Sequence, residues 1–154
     1  MLVLTFWVGD DCLALDVRQV REVVPRVPLR RSPGSAPWLA GLFIYRGQVV
    51  PVIDLHRLAG DGECPAHLSS RIILVPRRQD GSESLIGLLA AQVADLQEIQ
   101  APSQPLAGQA EPGQPDLGPV IVTGGGILHL VELDRLLPES ARQQLAGAPV
   151  ELPT

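Results

Sequence analysis

The stretch GLFIYRGQVVPVIDLHRL, Gly41–Leu58, reads as two apolar strands around one basic turn. Leu42, Ile44, Val49, Val50, Val52 and Ile53 supply apolar groups to both strand faces, with Arg46 and Gly47 between the strands. A ribbon that is apolar on both sides must be covered on both sides, by its own fold or by a partner. Nothing in it is equipped for bond-making chemistry. After Leu55 the strand period stops, and DLHRLAGDG predicts a single helical turn closed by Gly60.

The pattern returns further along the chain. RGQVVPVIDLHRL, Arg46–Leu58, aligns without gaps on GGGILHLVELDRL, Gly124–Leu136, at a constant offset of 78 residues. Gly47 meets Gly125, Asp54 meets Glu132, and Arg57-Leu58 meets Arg135-Leu136. ALDVRQVREVV, Ala14–Val24, pairs more weakly with GLLAAQVADLQ, Gly87–Gln97, at an offset of 73. Two matches in the same order at nearly the same spacing indicate an internal duplication. Each half, of about five short strands and a helical turn, buries too little to stand firmly alone. The halves are expected to pack on each other or to exchange strands, with small closed barrels removing the sheet edges.

The rest of the chain fits this plan. Leu2–Val8 and Cys12–Val17 flank GDD, a turn signal, and predict a first hairpin. Val17, Val20, Val23 and Val24 stand at helical spacing and predict at most two turns of helix before Pro25. Arg71–Arg77 and Leu85–Ala91 read as strands, and Val93–Ile99 as extended or mixed structure. Ala101–Pro119, with five prolines, reads as a long loop. Val120–Thr123 and Ile127–Glu132 form a last hairpin across GGG. LDRLLPESARQQLAG predicts a C-terminal helix broken at Pro138 and closed by Gly147. The domain is expected over 1–147, with 148–154 as a tail.

At 154 residues and 45% apolar content there is enough for a core, built from aliphatic side chains because only five residues are aromatic. The formal net charge is -5, and all twelve basic residues are arginine. Apart from RVPLRR, Arg26–Arg31, there is no basic stripe of the kind phosphate backbones require, so nucleic acid is not an expected partner. No apolar run reaches spanning length, and MLVLTFWVGDD lacks the basic region of a secretory signal, so a cytoplasmic protein is expected. Cys12 and Cys64 are read as free thiols.

The inventory for catalysis is poor. His56, His67 and His129 lie far apart in sequence. CPAH, Cys64–His67, offers two ligands where structural zinc uses four. Gly124–Gly126 precedes a strand rather than the helix that a phosphate cradle needs. Asp10 and Asp11 are turn residues. No nucleophile elbow, Walker loop or dinucleotide fingerprint is present. No catalytic residue, metal site or cofactor is expected.

YRGQVVPVIDLHRL resembles the LRG-x-φ-φ-P-φ-φ-D-L signature (φ apolar) of CheW-like domains, the coupling proteins of bacterial chemosensory systems. ALDVRQVREVV, PGSAPWLAGLF, IGLLAAQVADLQEI and GGGILHLVELDRLL are similar to its other segments, in order, from about Leu2 to Leu137. The resemblance implies a mostly β fold of two intertwined five-stranded SH3-like β-barrels with short helices, one of them C-terminal. It implies a non-enzymatic adaptor that couples a CheA-type histidine kinase, through its CheW-like regulatory domain, to the cytoplasmic tip of a methyl-accepting chemoreceptor. Such an adaptor sits at membrane-bound receptor arrays without inserting into the membrane, and self-association is open to it. On this resemblance the partner-binding residues fall on Glu22, Val24, Ile44, Tyr45, Arg46, Gly47 and Val49. Ile44 stands where the family commonly has Asn, which suits a specialised system such as surface sensing, pilus or second-messenger control. Two other readings remain: a small-ligand sensor or regulatory subunit using the inter-barrel groove, and a nucleic-acid binder using Arg26, Arg30 and Arg31.

Overall fold

Short connections organise the described strands into hairpins. In the computed structural model, which describes residues 1–31, 33–60, 62–66, 70–79, 81–100, 115–124 and 126–137, β1 (Leu2–Val8) and β2 (Asp11–Asp16) pair antiparallel across Gly9-Asp10. The pair β4 (Leu39–Tyr45) and β5 (Gln48–Asp54) turns at Arg46-Gly47. β6 (Arg71–Gln79) and β7 (Ser82–Glu98) form the longest hairpin, and β8 (Val120–Thr123) with β9 (Gly126–Leu130) the last. The turn residues explain the tightness. Arg46 and Gly47 have φ of 48° and 77°, the two positive values that let a two-residue turn follow the strand twist.

The valines at helical spacing do not make a helix. Asp16 caps a single 3-10 turn, Val17–Gln19, by accepting from the Arg18 amide at 3.0 Å. The chain then extends as β3 (Glu22–Pro25), which pairs with β6. The reason is the β-branched run, whose strand preference is satisfied by the waiting edge of β6. Val93–Ile99 is likewise extended: it is mostly the far half of β7, a 17-residue strand. At Gln92, with φ of 51°, the ladder to β1 shifts register and the strand changes units.

The pairings show both the duplication and the exchange. One unit contains β3, β6, the first half of β7, β5 and β4; the other contains the second half of β7, β1, β2, β9 and β8. Each therefore draws strands from both halves of the sequence. The parallel pair Val52↔Gly87 of one unit returns as Leu130↔Ala14 in the other, shifted by 78 and 73 residues. Glu22↔Leu74 returns as Asp95↔Thr5. These are the two intertwined five-stranded units implied by the resemblance. Neither ring is closed by a ladder among the described residues, although an isolated bridge, Arg30↔Leu42, ties the segment after β3 back to β4.

Three apolar clusters hold the molecule. One lies inside the first unit (Val50, Val52, Ile72, Leu74, Leu89) and one inside the second (Val3, Ala14, Leu128). The largest lies between the units, where Phe6, Leu13 and Leu15 meet Ile53, Ile73 and Leu88. Gly87 stands against the cluster inside the first unit. A Cβ there would stand 2.7 Å from Ile72 Cγ2 and 3.1 Å from Val52 Cγ2, so Gly87→Ala is expected to cost about 2 kcal/mol by overpacking, read as a lower urea midpoint with unchanged slope.

The two helical turns also follow the repeat: α1 (Leu55–Leu58) and α2 (Leu133–Leu136) lie 78 residues apart. The expected C-terminal helix is described only as α2, and its continuation over 138–147 lies outside the described residues. So do the loop over 101–114 and residue His67.

Candidate functional site

The opening hairpin is covered on one face and only partly on the other. Phe43, Tyr45, Val50 and Val52 point into the first unit's core. On the opposite face Ile53, at the base, is fully buried in the cluster between the units. At the tip of that face Ile44 is left bare, 63% exposed, opposite a half-buried Val49. The second hairpin repeats the arrangement: Val131 is buried at the base, while the opposed pair Val122 and Ile127 is exposed at the tip. Large apolar side chains opposed on bare strand ends mark interaction sites rather than core.

Beside the first tip stands a polar cluster at the mouth of the first unit. Tyr45 donates its hydroxyl to Glu22 Oε2. The Arg46 guanidinium lies 3.9 Å from the same carboxylate oxygen and 5.2 Å from the Tyr45 ring centroid. β3 and β4 share no ladder, so Glu22 and Tyr45 meet across the mouth of the unit. Val24, two residues along β3, packs half-buried beneath them. The structure thus gathers Glu22, Val24, Tyr45, Arg46 and Gly47 at one end of the first unit, with Ile44 and Val49 on the adjoining outer face. The exposed Val23 joins this end as well, and sequence reading missed it because helical spacing hid its strand.

A groove of about 540 Å³ lies at the junction of the units, lined by Arg18, Arg77, Arg78, Glu83, Glu132 and Asp134 among others. Its charges are largely satisfied within the chain. Arg18 binds Asp16 at 2.7 Å, and that contact holds the Asp16 carboxyl below its usual range. Arg78 lies 3.8 Å from Glu83, and Glu132 3.3 Å from Arg135. A small-ligand pocket would instead present converging unsatisfied groups on an apolar floor.

Cys12 and Cys64 are both free. Cys64 is buried in the first unit's core, and burial pushes its thiol up. His56 is buried on α1 and His129 sits in β9 with Nδ1 3.3 Å from the Gly118 carbonyl. Among the described residues there is no cluster of three or more side chains able to hold a metal, and no helix long and apolar enough to cross a membrane.

Comparison with known proteins agrees with this geometry. The family model of the CheW-like domain matches residues 2–141. The chemotaxis protein CheW of Treponema pallidum is 23% identical, across 94% of this chain and 86% of its own length. That of Thermotoga maritima is 24% identical, across 89% and 87%. Among solved structures, the scaffolding protein TtCheW from Thermoanaerobacter tengcongensis superposes with a TM-score of 0.72 at 24% identity, covering 86% of this chain and 84% of that one. With a family model spanning nearly its whole length, an interleaved pair of five-stranded units and a duplicated hairpin that is bare at its tip, the chain belongs to the CheW-like domain family.

Proposed function

We propose that the chain is a non-enzymatic adaptor that couples a methyl-accepting chemoreceptor to a CheA-type histidine kinase at membrane-bound receptor arrays in the cytoplasm. The observation that carries this reading is the first hairpin tip, where Ile44 is exposed beside the Glu22–Tyr45–Arg46 cluster on a chain of the CheW-like domain family, which includes the scaffolding protein TtCheW. The tip has the composition of an interface centre, an apolar pair rimmed by an arginine and a tyrosine. The kinase's CheW-like regulatory domain docks there, and the receptor tip lies along the junction of the units. Signal passes as a bias between arrangements of the bound partners, with no covalent step. Ile44 in place of a polar residue favours a specialised chemosensory pathway, such as surface sensing, pilus or second-messenger control, over flagellar chemotaxis.

Isothermal titration of the purified chain against the kinase's regulatory domain and against a receptor-tip fragment tests the reading, and heat change with neither would sink it. Arg46→Ala is expected to weaken kinase binding about tenfold, because a charge-assisted contact is worth roughly 1.4 kcal/mol. The fold should survive, since the Arg46 side chain is 79% exposed. A collapse of the thermal transition instead would make Arg46 a residue of the fold.

A further inference from the structure

Three features of the first unit's mouth meet on one side chain. Tyr45 is the chain's single tyrosine. Its hydroxyl goes to the Glu22 carboxylate and its ring lies under the Arg46 guanidinium, at 5.2 Å. Arg46 itself projects from a left-handed turn position, φ 48°, and its guanidinium stands 3.9 Å from Glu22. An arginine on a two-residue turn is ordinarily free to sweep a wide volume, and ordering it on binding costs affinity. Here the ring and the carboxylate restrict it from two directions before any partner arrives.

The duplicated unit serves as an internal comparison. Its positions equivalent to Glu22, Tyr45 and Arg46 are Asp95, Thr123 and Gly124. Thr123 turns its hydroxyl to its own hairpin, donating to the Gly126 carbonyl at 3.2 Å. A hairpin with the same pairing, Thr123↔Gly126 against Tyr45↔Gln48, therefore exists in this molecule without the cluster, although Gly124 does not share the left-handed φ of Arg46.

We infer that Tyr45 is a positioning and specificity residue of the docking edge: it holds Glu22 and Arg46 as one prearranged acid–base pair, so that the first hairpin, and not the second, selects a partner offering a carboxylate beside an apolar side chain. This rests on the adaptor reading above. The phenol contributes through the two groups it fixes rather than through its own contact with the partner. The Glu22 side chain is 41% exposed and that of Arg46 79%, so both remain able to bond outward.

The test combines a spectrum with a binding cycle. In the Raman spectrum the tyrosine Fermi doublet reports whether this one phenol donates its proton, and a strong donor is expected in the wild type and a weaker one in Glu22→Gln. Tyr45→Phe keeps the ring and removes the hydroxyl. It is expected to weaken binding to the kinase's regulatory domain about tenfold with an unchanged thermal midpoint. Added to Glu22→Gln, it should cost little more, because the two act as a unit. A phenol that does not donate in the wild type overturns the inference, as does a Tyr45→Phe that binds as tightly as wild type or a double mutant whose losses simply add. If Tyr45→Phe proves unstable, the wild-type spectrum and the Glu22→Gln spectrum still decide. Wild-type protein that binds neither partner removes the adaptor reading instead, and leaves the spectroscopic result standing by itself.

Discussion

Ile44→Asp is expected to abolish practical binding of the kinase's regulatory domain, raising Kd about a hundredfold, while the protein stays folded. Ile44 is 63% exposed in the isolated chain, so its loss leaves no cavity and the stability change should stay under about 1 kcal/mol, mostly strand preference. The same position lies opposite Val49 at the hairpin tip, the centre of the proposed docking surface. An aspartate there would have to shed its water without a partner while the apolar contact disappears. Central interface residues of this kind carry roughly 2–4 kcal/mol each, and about 2.7 kcal/mol is a hundredfold. Ile44→Thr keeps the branched side chain and should lose about tenfold. Titration calorimetry with matched denaturation curves separates the two quantities. Wild-type affinity in Ile44→Asp would place the docking surface elsewhere.

Asp54→Ala is expected to be the most destabilising of the substitutions considered, at about 3 kcal/mol, lowering the thermal midpoint by roughly 10 °C. Asp54 is 1% exposed, and its two carboxylate oxygens serve different segments. Oδ1 accepts from the His56 and Arg57 amides at 3.0 and 3.4 Å, closing the first turn of α1. Oδ2 accepts from the Cys64 amide at 2.9 Å and so pins the loop that follows. Alanine would strand the buried His56 and Cys64 amides and the part-buried Arg57 amide. Asn has one oxygen and one amino group, so Asp54→Asn keeps one side and sets donor against donor on the other, at about half the cost. The duplicated position is the contrast. Glu132 precedes α2 but makes no cap hydrogen bond, and Glu132→Ala should cost no more than about 0.5 kcal/mol. Calorimetric scans of the three variants check the ordering, and equal losses at 54 and 132 would contradict it.

Much of the fold was legible because its signals are local. Gly9-Asp10 and Arg46-Gly47 are turn chemistry, and each sits where the chain reverses. The helical turns were legible because the strand period stops at Leu55, and the offset of 78 carried the same reading to Leu133. Where the local signal was ambiguous it misled. Valines at 17, 20, 23 and 24 satisfy a helical stripe as well as a strand, and the choice fell to β6, which offered Glu22–Pro25 a paired edge.

The candidate site divides in the same way. That the Gly41–Leu58 hairpin is apolar on both faces is a property of its sequence, and so is its echo at Gly124–Leu136. Which end of the second face stays bare depends on where the other unit packs. Ile53 is covered and Ile44 is not because the cluster between the units reaches only the hairpin's base. The meeting of Glu22 with Tyr45, 23 residues apart on strands that share no ladder, had no sequence signal, since alternation says which way a side chain points and not what lies across the unit.

By itself the sequence determined the hairpins, their turns, the duplication and the resemblance to CheW-like domains, because each is carried by spacing within a short stretch. The tertiary structure alone decided the exchange of strands: β2 pairs with β9 and β5 with β7, across the two halves, through a β7 that serves both units. A strand's alternation is satisfied by any neighbour of matching register. Only the simultaneous burial of three clusters selects the partner, and with it the surface left open.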